Sequence, residues 1–149
     1  MRPVKSSGQI ALVAAFALSA AVLGGSPAQK PDKPSLSLKA NPSITFSPAN
    51  IFFAAEVRGG PDDFEELYCP AVEWEWGDGT KDQSSADCEP YEAGKSQIKR
   101  RYVAQKRYQS SGDYRVAFRL KQKDRVVGTA TTQLKIRPGV RDPIGPSGS

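Results

Sequence analysis

Glu73 and Glu75 stand two residues apart in Val72-Glu73-Trp74-Glu75-Trp76-Gly77-Asp78-Gly79-Thr80. Paired carboxylates are the equipment of glycoside hydrolysis, one as acid and the other as base or nucleophile. A strand's period of two puts both acids on one face and Val72, Trp74 and Trp76 on the other. Read that way, the acids are a solvated strand face and the tryptophans a core stripe. A second acidic group, Asp62, Asp63, Glu65 and Glu66, is dense in the oxygen ligands that calcium takes. It lacks the glycine and the ligand spacing of a calcium-hand loop, so a solvated acidic loop is the plainer reading and calcium the alternative. The chain has no histidine, which removes the commonest general base and metal ligand. No Gly-X-Ser-X-Gly, phosphate-loop or dinucleotide fingerprint is present. The expectation is a protein that is not an enzyme, with no cofactor and no metal beyond the calcium alternative.

Cys69 and Cys88 are the only cysteines. Arg2 and Lys5 precede an apolar run from Ile10 to Leu23, and Ser26-Pro27-Ala28 follows as a small-residue cleavage site. That is the layout of a secretory signal peptide over residues 1–28. The run is shorter than the about 20 residues of a membrane-spanning helix, and no later segment is apolar enough to span. The expected compartment is secreted, extracellular or periplasmic, where an isolated cysteine pair forms a disulfide. Such a bridge contributes about 3 kcal/mol in the chain-entropy view. A redox pair is the alternative, although the Cys-X-X-Cys spacing of catalytic dithiols is absent.

These residues need elements to hold them. Residues 29–35 form a Pro/Lys linker, and residues 139–149 a Pro/Gly/Ser-rich tail expected to be disordered. Between them, 36–138 reads as one all-β domain. Leu36-Ser37-Leu38 and Ile44-Thr45-Phe46 alternate as short edge strands beside Pro42 and Pro48. Ile51, Phe53, Ala55 and Val57 share one face of a longer strand that ends at Gly59-Gly60-Pro61. Lys81 to Lys95 reads as a long polar loop that only the disulfide orders. Ile98, Tyr102 and Val103 mark another strand. Tyr114, Val116, Phe118 and Leu120 point one way and Arg115, Ala117, Arg119 and Lys121 the other. After a turn at Gln122 to Arg125, Val126, Ala130, Leu134 and Ile136 face inward, with Val127 outward. Short alternating strands with turn signals and no helical period argue for a sandwich.

Trp74-Glu75-Trp76-Gly77-Asp78-Gly79-Thr80 resembles the Trp-Asp-Phe-Gly-Asp-Gly-Thr motif of the polycystic kidney disease (PKD) domain family. Tyr108-Gln109-Ser110-Ser111-Gly112-Asp113-Tyr114-Arg115-Val116-Ala117-Phe118 is similar to the second half of that signature, an aromatic turn followed by a strand. Tyr108, Gly112, Tyr114 and Val116 fall at the family's spacing. Lys106 stands where the family often has histidine, and the interval between the motifs is longer than usual. The resemblance covers roughly residues 42–138. It implies an Ig-like β-sandwich of about seven antiparallel strands. It also implies an extracellular spacer or binding module, and makes Trp74, Trp76, Gly77, Asp78, Gly79, Tyr108, Gly112 and Tyr114 motif and core residues.

Charge is segregated along the chain, which carries 21 Lys and Arg against 16 Asp and Glu. Lys81 is the only cation between Gly59 and Gly94, whereas Asp113 and Asp124 are the only acids between Lys95 and Pro138. Such asymmetry suits a polyanion-binding surface. Nucleic acid does not fit an exported protein; an envelope glycan does. The structural alternative follows from the sandwich, in which the third and sixth strands are neighbours. Glu73 and Glu75 would then pair across strands with Arg115, Arg119 and Lys121. If that face is instead the polyanion site, Arg115 and Arg119 carry the binding; if its charges pair, any ligand patch falls to Lys99, Arg100, Arg101, Lys106 and Arg107, which lack such partners. The leading expectation is a secreted Ig-like module acting in adhesion, as a spacer, or as a binder of a protein or glycan. The alternative is a calcium- or glycan-dependent accessory module of an extracellular hydrolase system.

Overall fold

The computed structural model describes residue 25 and residues 32–140. The expected signal peptide, apart from residue 25, residues 29–31 of the expected linker and the tail beyond residue 140 lie outside the described residues; the linker's last residue, Ser35, opens the first strand. Eight strands run from Ser35 to Arg137: β1 (Ser35–Asn41), β2 (Ile44–Phe46), β3 (Ala49–Arg58), β4 (Ala71–Glu75), β5 (Lys81–Ser84), β6 (Arg101–Tyr108), β7 (Gly112–Gln122) and β8 (Arg125–Arg137). They form a three-stranded sheet, β1-β3-β6, and a five-stranded sheet, β2-β8-β7-β4-β5. The fold is an all-β sandwich. No helix among the described residues is long and apolar enough to cross a membrane.

Aromatic packing between the sheets sets the inward parity of each strand. Trp74 stacks on Trp76 with ring centroids 5.2 Å apart. Phe53 of β3 lies 5.4 Å from Trp76, and Phe118 of β7 lies 4.5 Å from Trp74. Ile51, Val116, Leu120 and Leu134 complete the most deeply buried layer. Fully burying an aromatic of this size contributes several kcal/mol, about 25 cal/mol for each Å² removed from water.

Four expectations are corrected. Not every pair is antiparallel: β2 runs parallel to β8, with Thr45 opposite Ile136. Pro42 has no N–H to continue the β1 ladder, so the chain steps to the other sheet without reversing direction. The Ser47 and Lys135 amides then donate to the Arg137 and Ser43 carbonyls. Secondly, Lys81 to Ser84 is a strand and not loop. The Gly-Asp-Gly turn sets Glu75 opposite Lys81, and the Trp76 indole donates to Asp82 Oδ2 at 2.8 Å.

Thirdly, the strand after the insertion begins at Arg101. Tyr102 takes its inward position, which leaves Val103 68% exposed. Ile98 is buried ahead of the strand, and its amide donates to the Asp62 carbonyl at 2.7 Å. The insertion itself is held by more than the disulfide. Tyr91 donates to the Asp63 carbonyl, Tyr68 donates to the Glu89 carbonyl, and the two rings meet edge to face.

The fourth correction is in β8. Its register against β7 shifts between Leu120 and Lys121, with Gly128 opposite Leu120 and Val126 opposite Lys121. Val127 is the extra residue of a bulge, and a bulge reverses the alternation on either side of it. Val126 is therefore exposed and Val127 packs against the core. Val127→Asp is expected to lower stability by about 1–3 kcal/mol because it puts a carboxylate against apolar neighbours. Val126→Asp should stay within about 0.5 kcal/mol of the parent. Thermal or urea unfolding of the two variants checks the bulge; the reverse order would restore unbroken alternation.

Candidate functional site

The two sequence motifs converge on one corner of the sandwich. In the turn after β4, Gly77 has φ 79° and a Cβ there would stand 2.7 Å from the Arg115 carbonyl oxygen, so only glycine fits. Asp78 Oδ1 accepts hydrogen bonds from the Thr80 amide at 2.9 Å and the Thr80 hydroxyl at 2.5 Å. Lys106 reaches this turn from β6. Its ammonium lies 3.3 Å from Asp78 Oδ2, donates to Thr80 Oγ1 at 3.0 Å and stands over the Trp76 ring. Tyr108 donates to the Trp76 carbonyl at 2.9 Å and packs against Tyr114, which in turn donates to the Ser110 carbonyl. Burial alone would raise the Asp78 carboxyl, but the Thr80 and Lys106 hydrogen bonds outweigh it and hold it below its ordinary value. Gly77, Asp78, Gly79, Tyr108 and Tyr114 thus sit where they shape a turn and a buried junction.

The paired glutamates face outward on β4, beside β7. Arg119 Nη1 donates to Glu73 Oε1 at 3.0 Å and to Glu75 Oε2 at 2.7 Å, while Lys121 donates to Glu73 Oε2 at 2.6 Å. Lys81 on β5 adds a longer pair to Glu75. The Lys121 hydrogen bond, joined by that of Arg119, outweighs partial burial and holds the Glu73 carboxyl below its ordinary value. Glu75 is lowered by the Arg119 hydrogen bond and then by the Lys81 charge. Both carboxylates are thus held toward their ionised form by neighbouring cations, Glu73 by Lys121 and Arg119 and Glu75 by Arg119 and Lys81. Arg115 stands apart from this network. It lies opposite Gln133, beyond the last β4 position to pair with β7.

The acidic loop is also tied down. Asp62 accepts two hydrogen bonds from Arg100, whose guanidinium further donates to the Gly59 and Gly60 carbonyls. Asp63 accepts from the Gly94 amide, and Glu66 meets Lys33 and Arg125. Among the described residues no group of three or more His, Cys, Asp or Glu could hold a metal ion. Cys69 and Cys88 are joined, linking this loop to the chain beyond β5.

No family model and no curated protein matches the chain. Among solved structures it is similar to the PKD domain of an M14-like peptidase from Thermoplasmatales archaeon SCGC AB-540-F20. The identity is 13%, over 74% of this chain and 100% of that chain, with a TM-score of 0.49. It is also similar to the CARDB domain of the PF1109 protein from Pyrococcus furiosus, solved in complex with di-metal ions. That likeness has 14% identity, over 71% of this chain and 93% of that chain, with a TM-score of 0.42. The two-sheet architecture of this chain stands on its own strand pairing.

Of the five basic residues expected to be without partners, Arg100 and Lys106 have them, in Asp62 and Asp78. Lys99 stands over the Tyr102 ring, 5.0 Å from its centroid. Arg101 and Arg107 project from the outer face of β6, opposite Glu56 and Asn50. Sequence reasoning missed two residues on that face, Lys39 of β1 and Phe52 of β3, the latter 59% exposed. The signal for Phe52 was present: it alternates out of phase with Ile51, Phe53 and Ala55.

The Arg119 network generates a prediction with a definite sign. Glu73 is depressed in the folded state, so its contribution is present above its unfolded value of about 4.3 and is lost as pH falls through the depressed one. Glu73→Gln is expected to lower stability at pH 7 by about 1 kcal/mol. Thermal melts from pH 7 downward check this: the gap from the parent should hold above the ordinary glutamate range and narrow as the pH falls through the depressed Glu73 value. A gap of equal size throughout would show that the side chain acts through packing and not charge.

Proposed function

We propose that the chain is an exported, non-catalytic binding module that adheres to an anionic envelope glycan through the outer face of its three-stranded sheet. The observation that supports this reading is the contrast between the two outer faces. On the five-stranded sheet, Glu73, Glu75, Arg119, Lys121 and Lys81 satisfy one another. On the three-stranded sheet, Lys39, Arg58 and Arg101 lie near one end around a single carboxylate, Glu56, and Arg107 lies opposite Asn50 toward the other end. That carboxylate is engaged by Arg58 at 2.6 Å. Exposed Phe52 and Val103 lie among these cations, on adjacent strands.

An exposed ring on a flat sheet offers its electron-rich face to the C–H face of a sugar. Cations spaced around it match repeated carboxylates and raise the rate of encounter with an acidic polymer. A signal peptide, read from the sequence, would deliver such a module to the compartment where these polymers lie. The network over Glu73 and Glu75 and the tethered acidic loop favour binding over hydrolysis and over calcium dependence.

Co-sedimentation with polygalacturonate and with a neutral glucan tests the reading. The parent should be retained by the acidic polymer and released at about 1 M salt, where screening acts within about 3 Å. Replacing Lys39, Arg101 and Arg107 by alanine should weaken retention about tenfold or more, since hydrogen bonds to charged groups are worth about 1.5–3 kcal/mol. Lys135→Ala with Arg137→Ala, on the other sheet, should leave it unchanged. Equal retention by the neutral glucan, or no effect of the triple change, would overturn the assignment. No retention at all would favour a passive spacer.

A further inference from the structure

A groove of about 560 Å³ opens between the end of β5 and the start of β6. That size falls within the range of small-ligand clefts. Val72, Trp74 and Tyr102 line it with apolar surface, and the Cys69–Cys88 disulfide forms part of its wall. Ser84 and Gln97 add neutral polar groups at its margin. Its two charged lining residues, Lys99 and Arg101, are both cations, and no acid lines it. Neither is within ion-pair distance of a carboxylate among the described residues; Glu56, opposite Arg101, is hydrogen-bonded to Arg58 and feels the Arg101 charge at longer range. Tyr102 itself is 7% exposed, and its buried hydroxyl has no hydrogen-bond partner among the described residues. A buried polar group without a partner is rare and costly enough to suggest a ligand or solvent role. Burial pushes its pKa up to about 12.

We propose that this groove is a binding site for one acidic sugar residue, a hydroxylated ring bearing a carboxylate. The ring's C–H face lies toward Val72 and Trp74, and its carboxylate toward Arg101 and the Lys99 ammonium, which stands over the Tyr102 ring. Aromatic walls alone would suit any apolar ring. The two cations, with no acid among the lining residues, select for a negative group, and the serine and glutamine at the margin suit hydroxyls over a lipid tail. The inference deepens the sheet-face reading and rests on it for the class of polymer. Arg101 belongs to both surfaces, so the groove would take one residue of a chain lying across the sheet.

Calorimetric titration with digalacturonate, too short to cover the sheet, separates the two. The parent should bind it, and maltose should bind at least about tenfold more weakly for want of the charge-assisted contacts. Lys99→Ala should lose about tenfold in affinity for digalacturonate, and Lys99→Arg should recover most of it. Lys39→Ala with Arg107→Ala should leave the disaccharide unaffected while weakening retention by the polymer. Three results would each overturn the groove site: no binding of digalacturonate by a protein that retains the polymer, equal affinity for maltose, or an unchanged affinity in Lys99→Ala. The first leaves the sheet-face reading standing, whereas loss of polymer binding with disaccharide binding intact would overturn that reading alone.

Discussion

Parity around the two stacked tryptophans governs this molecule. Once Trp74 and Trp76 turn inward to meet Phe53 and Phe118, Glu73 and Glu75 have only the outer face left. They then stand beside Arg119, which β7 turns outward because Phe118 and Leu120 turn in. The same rule acts on the other sheet. Ile51, Phe53 and Ala55 face the core, so Phe52 does not; Tyr102 and Tyr108 face it, so Arg101, Val103 and Arg107 do not. Both outer faces are consequences of one aromatic cluster. They differ because one face received acids and bases in adjacent register and the other received bases almost alone.

That difference has an energetic meaning. Ion pairs across neighbouring strands help to fix register and leave little net charge for a partner. Cations without partners keep their hydration and their field, and so remain available to an anion. The Gly-Asp-Gly corner belongs with the first kind. Lys106 is consumed by Asp78 and Thr80, and Tyr108 by the Trp76 carbonyl, so these basic and aromatic residues stabilise the corner.

Much of the fold was legible because burial leaves an alternating trace. The tryptophan strand, the long alternation of β7 and the adjacency of these two strands could all be read before any coordinates. What was not legible lacked that trace. β5 is polar throughout and exposed, so no pattern separated it from loop. At the β8 bulge, valines at both 126 and 127 gave the pattern no means of choosing which faces in. The parallel β2 depends on where a proline interrupts a ladder, which is a three-dimensional matter. The candidate face was half visible, in Arg101 and Arg107. Phe52 reaches it only when β3 pairs with β6, and Lys39 only when β1 pairs with β3, and proximity in sequence says nothing of either. Arg100 was misread for the same reason, since its partner Asp62 lies across the insertion.

The central claim is that the three-stranded sheet is the face presented to an anionic polymer. Mapping amide chemical shifts of the isotope-labelled protein during titration with short polygalacturonate fragments tests it most directly. Perturbations should concentrate on β1, β3 and β6, around Lys39, Phe52, Arg101 and Arg107, and leave Arg115, Arg119 and Lys135 unmoved. A footprint centred on β7 and β8, with Arg115 and Arg119 shifting most, would contradict the account.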